Sequence, residues 1–424
     1  MKKVLIVTYY WPPAGGPGVQ RWLKFATYLP SHDIHPVVYT PKNAQYPIRD
    51  ESLLTDIPKD ITLLSQPIRE PYGLANRLFG KKTKRLSSGI IKSKNPSVIE
   101  RFLLWVRGNF YIPDGRKNWV EPSVAYLTEV IRQEDIKTVI TTGPPHSMHL
   151  IGLALQGSTG IRWIADFRDP WTTIGYHGDL RLGKRAKRSH EALEKKVLNA
   201  ADHIIVTSGS TREEFQQKTK QPVSLITNGH DLDMVDDTVL DSQFTISHIG
   251  SLLSGRNPKN LWQALSDCAK EIPGFREDLE IHLTGVVGDE ILESIKACGL
   301  ESLFKHLPYV SHPKAVALQR RSQILLLAEI DSEQTRAIIP GKLFEYMASR
   351  RPILGIGPEG WDAAEMIRKN AVGAVFTHTD QDELKAQLKR WYEEFKAGTL
   401  QPTQADVMAY SREALTTELA SLLQ

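Results

Sequence analysis

Two cysteines in 424 residues, Cys268 and Cys298, thirty positions apart, are too few for a disulfide framework or a cysteine-based zinc site. A reducing compartment is the resulting expectation. Long apolar runs are also missing: no stretch approaches the roughly 18 consecutive apolar residues that a spanning helix needs, so no integral membrane segment is predicted. The opening Met1-Lys2-Lys3 with VLIVTYYW has the outline of a short signal peptide, but Pro12-Pro13 follow at once without a small-residue cleavage site. The run reads as a buried first strand. Excess charge is small as well, and a net +4 argues against a nucleic-acid partner. What remains is an ordinary globular composition, 41% apolar and 24% charged, on a chain too long for one hydrophobic core, so two or three domains are expected.

Short β-branched runs alternate with segments of helical period. KVLIVTY, HPVVYT, KTVITTG, IRWIAD, HIIVTS and PVSLIT form a first series, and FTISHIG, LEIHLTG, HLPYV, QILLLA, PILGIG and GAVF a second. Such alternation predicts α/β units, each with a parallel sheet covered by helices on both faces. The boundary falls after the turn Asn228-Gly229-His230-Asp231, which gives an N-terminal domain over 1–232 and a C-terminal domain over 233–403. Residues 404–424 read as a closing amphipathic helix, and residues 70–120 as an insertion in the first domain.

Basic residues are unevenly placed. Lys81, Lys82, Lys84, Arg85, Lys92 and Lys94 crowd the insertion, interleaved with Leu78, Phe79, Ile90 and Ile91 and followed by FLLWV at 102–106. This mixture suits either a solvated loop or peripheral contact with an anionic membrane. A second cluster, Arg181, Lys184, Arg185, Lys187 and Arg188, lies further along.

In parallel sheets, ligands bind where loops leave the carboxyl ends of strands. The first such loop, Pro12 to Gly18, brings Gly15 and Gly16 to the start of a helix, where backbone can approach an anion closely. It departs from a dinucleotide fingerprint, since Arg21 replaces the last glycine and the next strand ends in Thr40-Pro41 without an acid, so a dehydrogenase is the weakest reading. After KTVITTG come His146 and His149, either of which could bond a sugar hydroxyl or a developing charge. Asp166, Arg168 and Asp169 end the following strand, in a pattern suited to hydroxyl recognition, proton abstraction or a salt-bridged turn. In the second half Gly250 and Arg256 follow a strand, and Ile339-Pro340-Gly341-Lys342 opens a helix that carries Glu345 one turn on. A lysine at a helix amino terminus opposes the macrodipole, a conflict that a bound anion would remove. Arg256 and Lys342 therefore read as a diphosphate clamp, and Glu345 as a partner for two ribose hydroxyls.

Together the loop after Pro12-Pro13, the segment Asp166 to Trp171, Asn228-Gly229, the Gly250 to Arg256 turn and the Lys342 to Ala348 helix resemble the retaining GT-B glycosyltransferases of family 4, over nearly the whole chain. The resemblance implies two Rossmann-like parallel-sheet domains facing across a cleft, with the last helix crossing back to the first domain. It also implies a nucleotide diphosphate sugar as donor, held by Gly250, Arg256, Ile339, Pro340, Lys342 and Glu345, with Gly15, Gly16 and Asn228 contributing from the first domain. His146, His149, Asp166, Arg168 and Asp169 would serve the acceptor and the reacting centre. Two positions depart from the family pattern. Ala337 stands where the first glutamate of the two-glutamate signature belongs, leaving backbone near Ile338 and Ile339 to meet the donor sugar, and Ser251 replaces a common arginine.

Because no Asp-any-Asp motif ends a strand, the expected transfer is metal-independent and needs no cofactor, with cations stabilising the leaving diphosphate. The expected acceptor is a sugar or a lipid-linked precursor of surface polysaccharide, at the cytoplasmic side of a membrane. The rival readings are a sugar-nucleotide epimerase or hydrolase of the same fold, and a non-catalytic nucleotide-binding scaffold.

Overall fold

The computed structural model describes residues 1–70, 98–175, 180–231, 239–400, 403 and 405–424. The basic cluster from Lys81 to Lys94 lies outside the described residues. The chain divides into two compact units, Met1–Asn228 together with Arg412–Gln424, and Gly229–Ser411.

The first unit is built on seven parallel strands in the order β3-β2-β1-β4-β5-β6-β7. These are β1 (Lys2–Val7), β2 (Ile34–Pro41), β3 (Thr62–Gln66), β4 (Thr138–Gly143), β5 (Arg162–Phe167), β6 (His203–Val206) and β7 (Val223–Leu225). The two-residue period of β1 explains the sandwich of layers: Leu5 and Val7 enter one core, while Val4 and Ile6 enter the core on the opposite face. Helices α1 (Pro17–Tyr28), α2 (Val98–Phe110), α3 (Val120–Gln133), α4 (Ser147–Thr159), α5 (Lys184–Ala200) and α6 (Gly209–Lys218) belong to this unit. The terminal helix Arg412–Leu423 completes it, placing Leu415, Leu419, Ala420 and Leu423 beside Val4, Ile6 and Trp22. Arg412 donates to Gln20 Oε1 at 2.7 Å, and the Lys2 ammonium donates to the carbonyl of Leu423.

The second unit has six parallel strands in the order β10-β9-β8-β11-β12-β13. They are β8 (Phe244–Ile249), β9 (Leu279–Thr284), β10 (Phe304–Leu307), β11 (Ile324–Ala328), β12 (Ile353–Ile356) and β13 (Gly373–Phe376). Every residue of β11 is buried, with Ile324, Leu326 and Ala328 in one core and Leu325 and Leu327 in the other, as a central strand covered on both faces demands. Helices α7 (Lys259–Glu271), α8 (Asp289–Ala297), α9 (His312–Arg321), α10 (Lys342–Ala348), α11 (Asp362–Lys369) and α12 (Gln381–Lys396) accompany the sheet.

Strand order reverses between β1 and β4 in the first sheet, and between β8 and β11 in the second. At such a switch point the connecting loops part in opposite directions and leave a crevice at the carboxyl ends. Gly15 and Gly16 follow β1, His146 follows β4, and Gly250 and Arg256 follow β8. Among the described residues no helix is long and apolar enough to cross a membrane.

Candidate functional site

In the second unit the chain leaves β8 through His248 and Ile249 and turns at Gly250, whose φ of 111° is in the region that favours glycine. A side chain there would also place its Cβ 3.0 Å from Lys342 Nζ. The turn leads to Arg256, whose Nε and Nη2 donate to the two carboxylate oxygens of Glu329 at 2.9 and 3.1 Å. Glu329 follows β11 directly and is fully buried, so its charge requires such a two-pronged partner. Ile330 N–H adds a bond of 2.9 Å to the same carboxylate.

Lys342, the first residue of α10, reaches Nε2 of His248 at 2.9 Å. His248 Nδ1 lies 2.9 Å from the Leu326 carbonyl, which can only accept, so Nδ1 carries the proton and Nε2 receives a hydrogen from Lys342. Burial, followed by the charge of Lys342, holds the His248 pKa well below its usual range and keeps the ring neutral. Burial and then the positive charge of Arg256 bring Lys342 down to about 7, against the opposing pull of Glu329 and Glu345. Gly250, Arg256 and Lys342 thus converge at the β8–β11 switch point, around a neutral imidazole and a buried carboxylate. The cations repel each other, and an anion between them would relieve that repulsion.

Glu345 lies one turn along α10, where its oxygens accept from His312 Nε2 and Gln319 Nε2, each at 3.0 Å. Ile339 and Pro340 are half-buried just before the helix. Ile338 already gives its N–H to the Thr335 carbonyl at 3.0 Å, so of the two amides considered for the donor sugar this one is committed within the chain.

In the first unit the loops after β1, β4 and β5 come together. A Cβ on Gly18 would lie 1.6 Å from Arg168 Nη1, so absence of a side chain at Gly18 is what lets the guanidinium cross the glycine loop. Arg168 also donates to the Pro144 carbonyl. Gly15 packs on Ile48 and Asp50, Gly16 opens α1 with a φ of 106°, and Asn228 ends the unit.

Asp166 and Asp169, read from the sequence as one group, occupy different environments. Asp166 is fully buried and accepts from Arg21 at 2.9 Å, Trp22 at 2.9 Å and Thr142 at 2.7 Å, tying α1 to β4 and β5. Arg21, the residue that breaks the dinucleotide fingerprint, is the buried cation of this pair and also donates to the Thr227 carbonyl at 2.6 Å. Asp169 is half-buried; burial pushes its carboxyl pKa up, and Arg168 opposes that shift.

His146 is buried and stacks on Trp171 with ring centres 4.6 Å apart. His149 is buried against Phe167, and burial brings its pKa down to about 3. Its Nδ1 lies 2.9 Å from Thr141 Oγ1, which also accepts from Trp163. The other ring nitrogen, Nε2, lies beside Gly143, where a Cβ would approach it to 2.6 Å.

Sequence reasoning missed His248 and Glu329. The signal was present: each is a polar residue at the end of a buried strand, in SHIG and LLAE. Among the described residues, no group of three or more His, Cys, Asp or Glu is arranged to hold a metal ion.

Residues 18–234 match the model of Glycosyltransferase Family 4. No curated protein matches the sequence. Among solved structures, the chain is similar to HepE of Anabaena in complex with UDP-glucose, at 13% identity and a TM-score of 0.60, covering 100% of this chain and 99% of that one. It is similar to TarM of S. aureus in a complex that contains UDP, at 12% identity and a TM-score of 0.61, covering 100% of both chains. WaaG, a glycosyltransferase involved in lipopolysaccharide biosynthesis, gives 14% identity and a TM-score of 0.56 over 99% of each chain. At these identities the likeness establishes the fold, a pair of Rossmann-like domains of the GT-B type. Since the family match spans just over half of the 424 residues, this chain belongs to glycosyltransferase family 4.

Proposed function

We propose that the protein transfers a glycosyl group from a nucleoside diphosphate sugar to an acceptor hydroxyl, with retention at the anomeric carbon and without a metal ion. The observation that carries this reading is the convergence of Arg256 and Lys342 at the β8–β11 switch point, with Lys342 brought down to about 7 by burial and by its neighbour. A departing nucleoside diphosphate gains negative charge in the transition state, and cations already fixed in position stabilise it without reorganising. Glu329 and His248 fix them: the first holds the Arg256 fork, and the second accepts a hydrogen bond from Lys342. Glu345 meets the ribose hydroxyls by exchanging its bonds to His312 and Gln319 for bonds to the nucleotide. Asp169, Arg168 and the His146–His149 pair serve the acceptor side.

The acceptor is a sugar, free or carried on a lipid, in the assembly of a surface polysaccharide at the cytoplasmic face of the cell membrane. WaaG, which shares the fold, is named for lipopolysaccharide biosynthesis, and this supports the acceptor class by analogy of fold alone. Ala337, standing where the family has its first glutamate, favours one second reading, nucleotide binding without transfer.

Titration calorimetry with UDP and GDP tests the donor site. The wild-type protein binds one of them, and Lys342→Ala weakens that binding at least about tenfold, the scale of losing one charge-assisted contact. Undiminished binding by the variant would overturn the clamp. Incubating the matching sugar nucleotide with acceptor extracts, with and without chelator, then separates transfer from silent binding and tests metal independence.

A further inference from the structure

Helix α2 leaves three large aromatic side chains in solvent: Phe102 is 58% exposed, Trp105 41% and Phe110 59%. They form one cluster, with ring centres 6.0 Å apart for Phe102 and Trp105 and 5.5 Å for Trp105 and Phe110. The buried side of the helix is fixed firmly. A Cβ on Gly108 would lie 2.7 Å from a Leu182 methyl carbon and 2.8 Å from the Leu180 carbonyl, so helix and segment are in direct contact. Asn109 clamps the same segment, accepting from Gly183 N–H at 2.8 Å and donating to the Arg181 carbonyl at 3.3 Å. One residue beyond Gly183, helix α5 begins.

That beginning carries Lys184, Arg185, Lys187 and Arg188, all exposed, with exposed Arg181 just before it. The first turn of α5 contains no acidic residue, although its amino terminus is already partly positive. Lys187 lies 4.0 Å from Glu191; among the described residues no carboxylate pairs with Arg181, Lys184, Arg185 or Arg188. Concentrated cations beside exposed aromatics are costly in water alone, and each feature is favourable at a lipid headgroup layer.

We propose that this face, the aromatic cluster of α2 with the basic start of α5, docks the protein on an anionic phospholipid bilayer. The aromatics enter the boundary between headgroups and acyl chains, and the cations meet lipid phosphates. A polyanion without bases would satisfy the cations but leave the three aromatic side chains in water, and against a nucleic acid, whose bases could stack on them, stands a net charge of only +4, so a bilayer is favoured. These residues take no part in the nucleotide clamp, so the proposal stands or falls independently of glycosyl transfer.

Co-sedimentation of the full chain with vesicles tests it. The wild-type protein pellets with phosphatidylcholine–phosphatidylglycerol vesicles at low salt, binds phosphatidylcholine alone at least about tenfold more weakly, and is released as salt shortens the reach of charge. A variant combining Phe102→Ser, Trp105→Ser and Phe110→Ser loses at least about tenfold in vesicle binding, and so does one combining Lys184→Glu, Arg185→Glu and Arg188→Glu. Both keep the thermal midpoint and the nucleotide affinity of the wild type. Vesicle binding by either variant equal to that of the wild type overturns the proposal. So does wild-type binding to an RNA homopolymer that matches vesicle binding and survives loss of the three aromatics.

Discussion

Lys342 Nζ lies 2.9 Å from Nε2 of His248, so the buried lysine of this site bonds to a neutral imidazole and not to a carboxylate. A neutral imidazole holds a proton on its partner less strongly than a carboxylate does. With Arg256 nearby, Lys342 falls to about 7 and is only half charged near neutrality.

Nucleotide binding should therefore take up a proton. A diphosphate beside Lys342 favours its charged form and raises its pKa, so affinity is greatest where the lysine is already protonated. Above about pH 7, affinity should fall by up to roughly tenfold per unit until the pKa of the bound form is reached. Calorimetry with UDP or GDP in two buffers of different ionisation heat measures both the slope and the proton count. A flat profile from about pH 7 to 9, with no proton uptake, would show that Lys342 does not face the ligand.

The same shift predicts a trade between stability and binding. A lysine depressed in the folded state keeps its ordinary value when unfolded, so between about pH 7 and 10 the unfolded chain holds more protons and stability rises with pH. At and below the folded value the full penalty persists. Lys342→Met should raise the thermal midpoint at neutral pH, flatten its pH dependence across that window and abolish nucleotide binding. A lower midpoint together with unaltered binding would refute both parts.

Glu329 neutralises Arg256 within the protein, and Glu329→Gln leaves the guanidinium with a weaker partner. Because Arg256 is 34% exposed and water can reach it, the expected loss is moderate, about 1–3 kcal/mol. A bound diphosphate would supply the missing charge. Saturating nucleotide should therefore raise the thermal midpoint of the variant by more than that of the wild type. An equal or smaller shift would mean that the diphosphate does not meet Arg256.

Asp166 and Asp169 should separate cleanly. Asp166→Asn leaves the buried Arg21 without its counter-charge, and breaking a buried pair costs about 3–5 kcal/mol, visible as a lower denaturation midpoint. Asp169→Asn should change stability little and lower turnover more than nucleotide affinity. A large stability loss at Asp169 with unchanged turnover would reverse the two roles.

The strands that could be read from the sequence are those whose residues are apolar on both faces, such as KVLIVTY and QILLLA. Strand Thr62–Gln66 escaped notice because none of its five residues is buried and it lies at the edge of the sheet, where polar alternation carries little signal. Gly250, Arg256 and Lys342 were legible as a group because each breaks a local rule or opens a helix after a strand. Their partners were not. Glu329 is 73 residues from Arg256, and His248 is 94 from Lys342, so only the strand order brings them together. The different surroundings of Asp166 and Asp169 were equally hidden, since alternation along β5 turns the first inward while the second lies beyond the strand's end.

The terminal helix has a consequence for biosynthesis. Leu415, Leu419 and Leu423 complete the core that Val4, Ile6 and Trp22 begin, so the apolar flank of α1 on this side of the first sheet stays uncovered on the ribosome until some 400 residues have been added. The second unit is synthesised before that happens and has a hydrophobic core of its own. The half of the protein made first is thus the half completed last, and its exposed apolar face is where a nascent-chain chaperone would be needed.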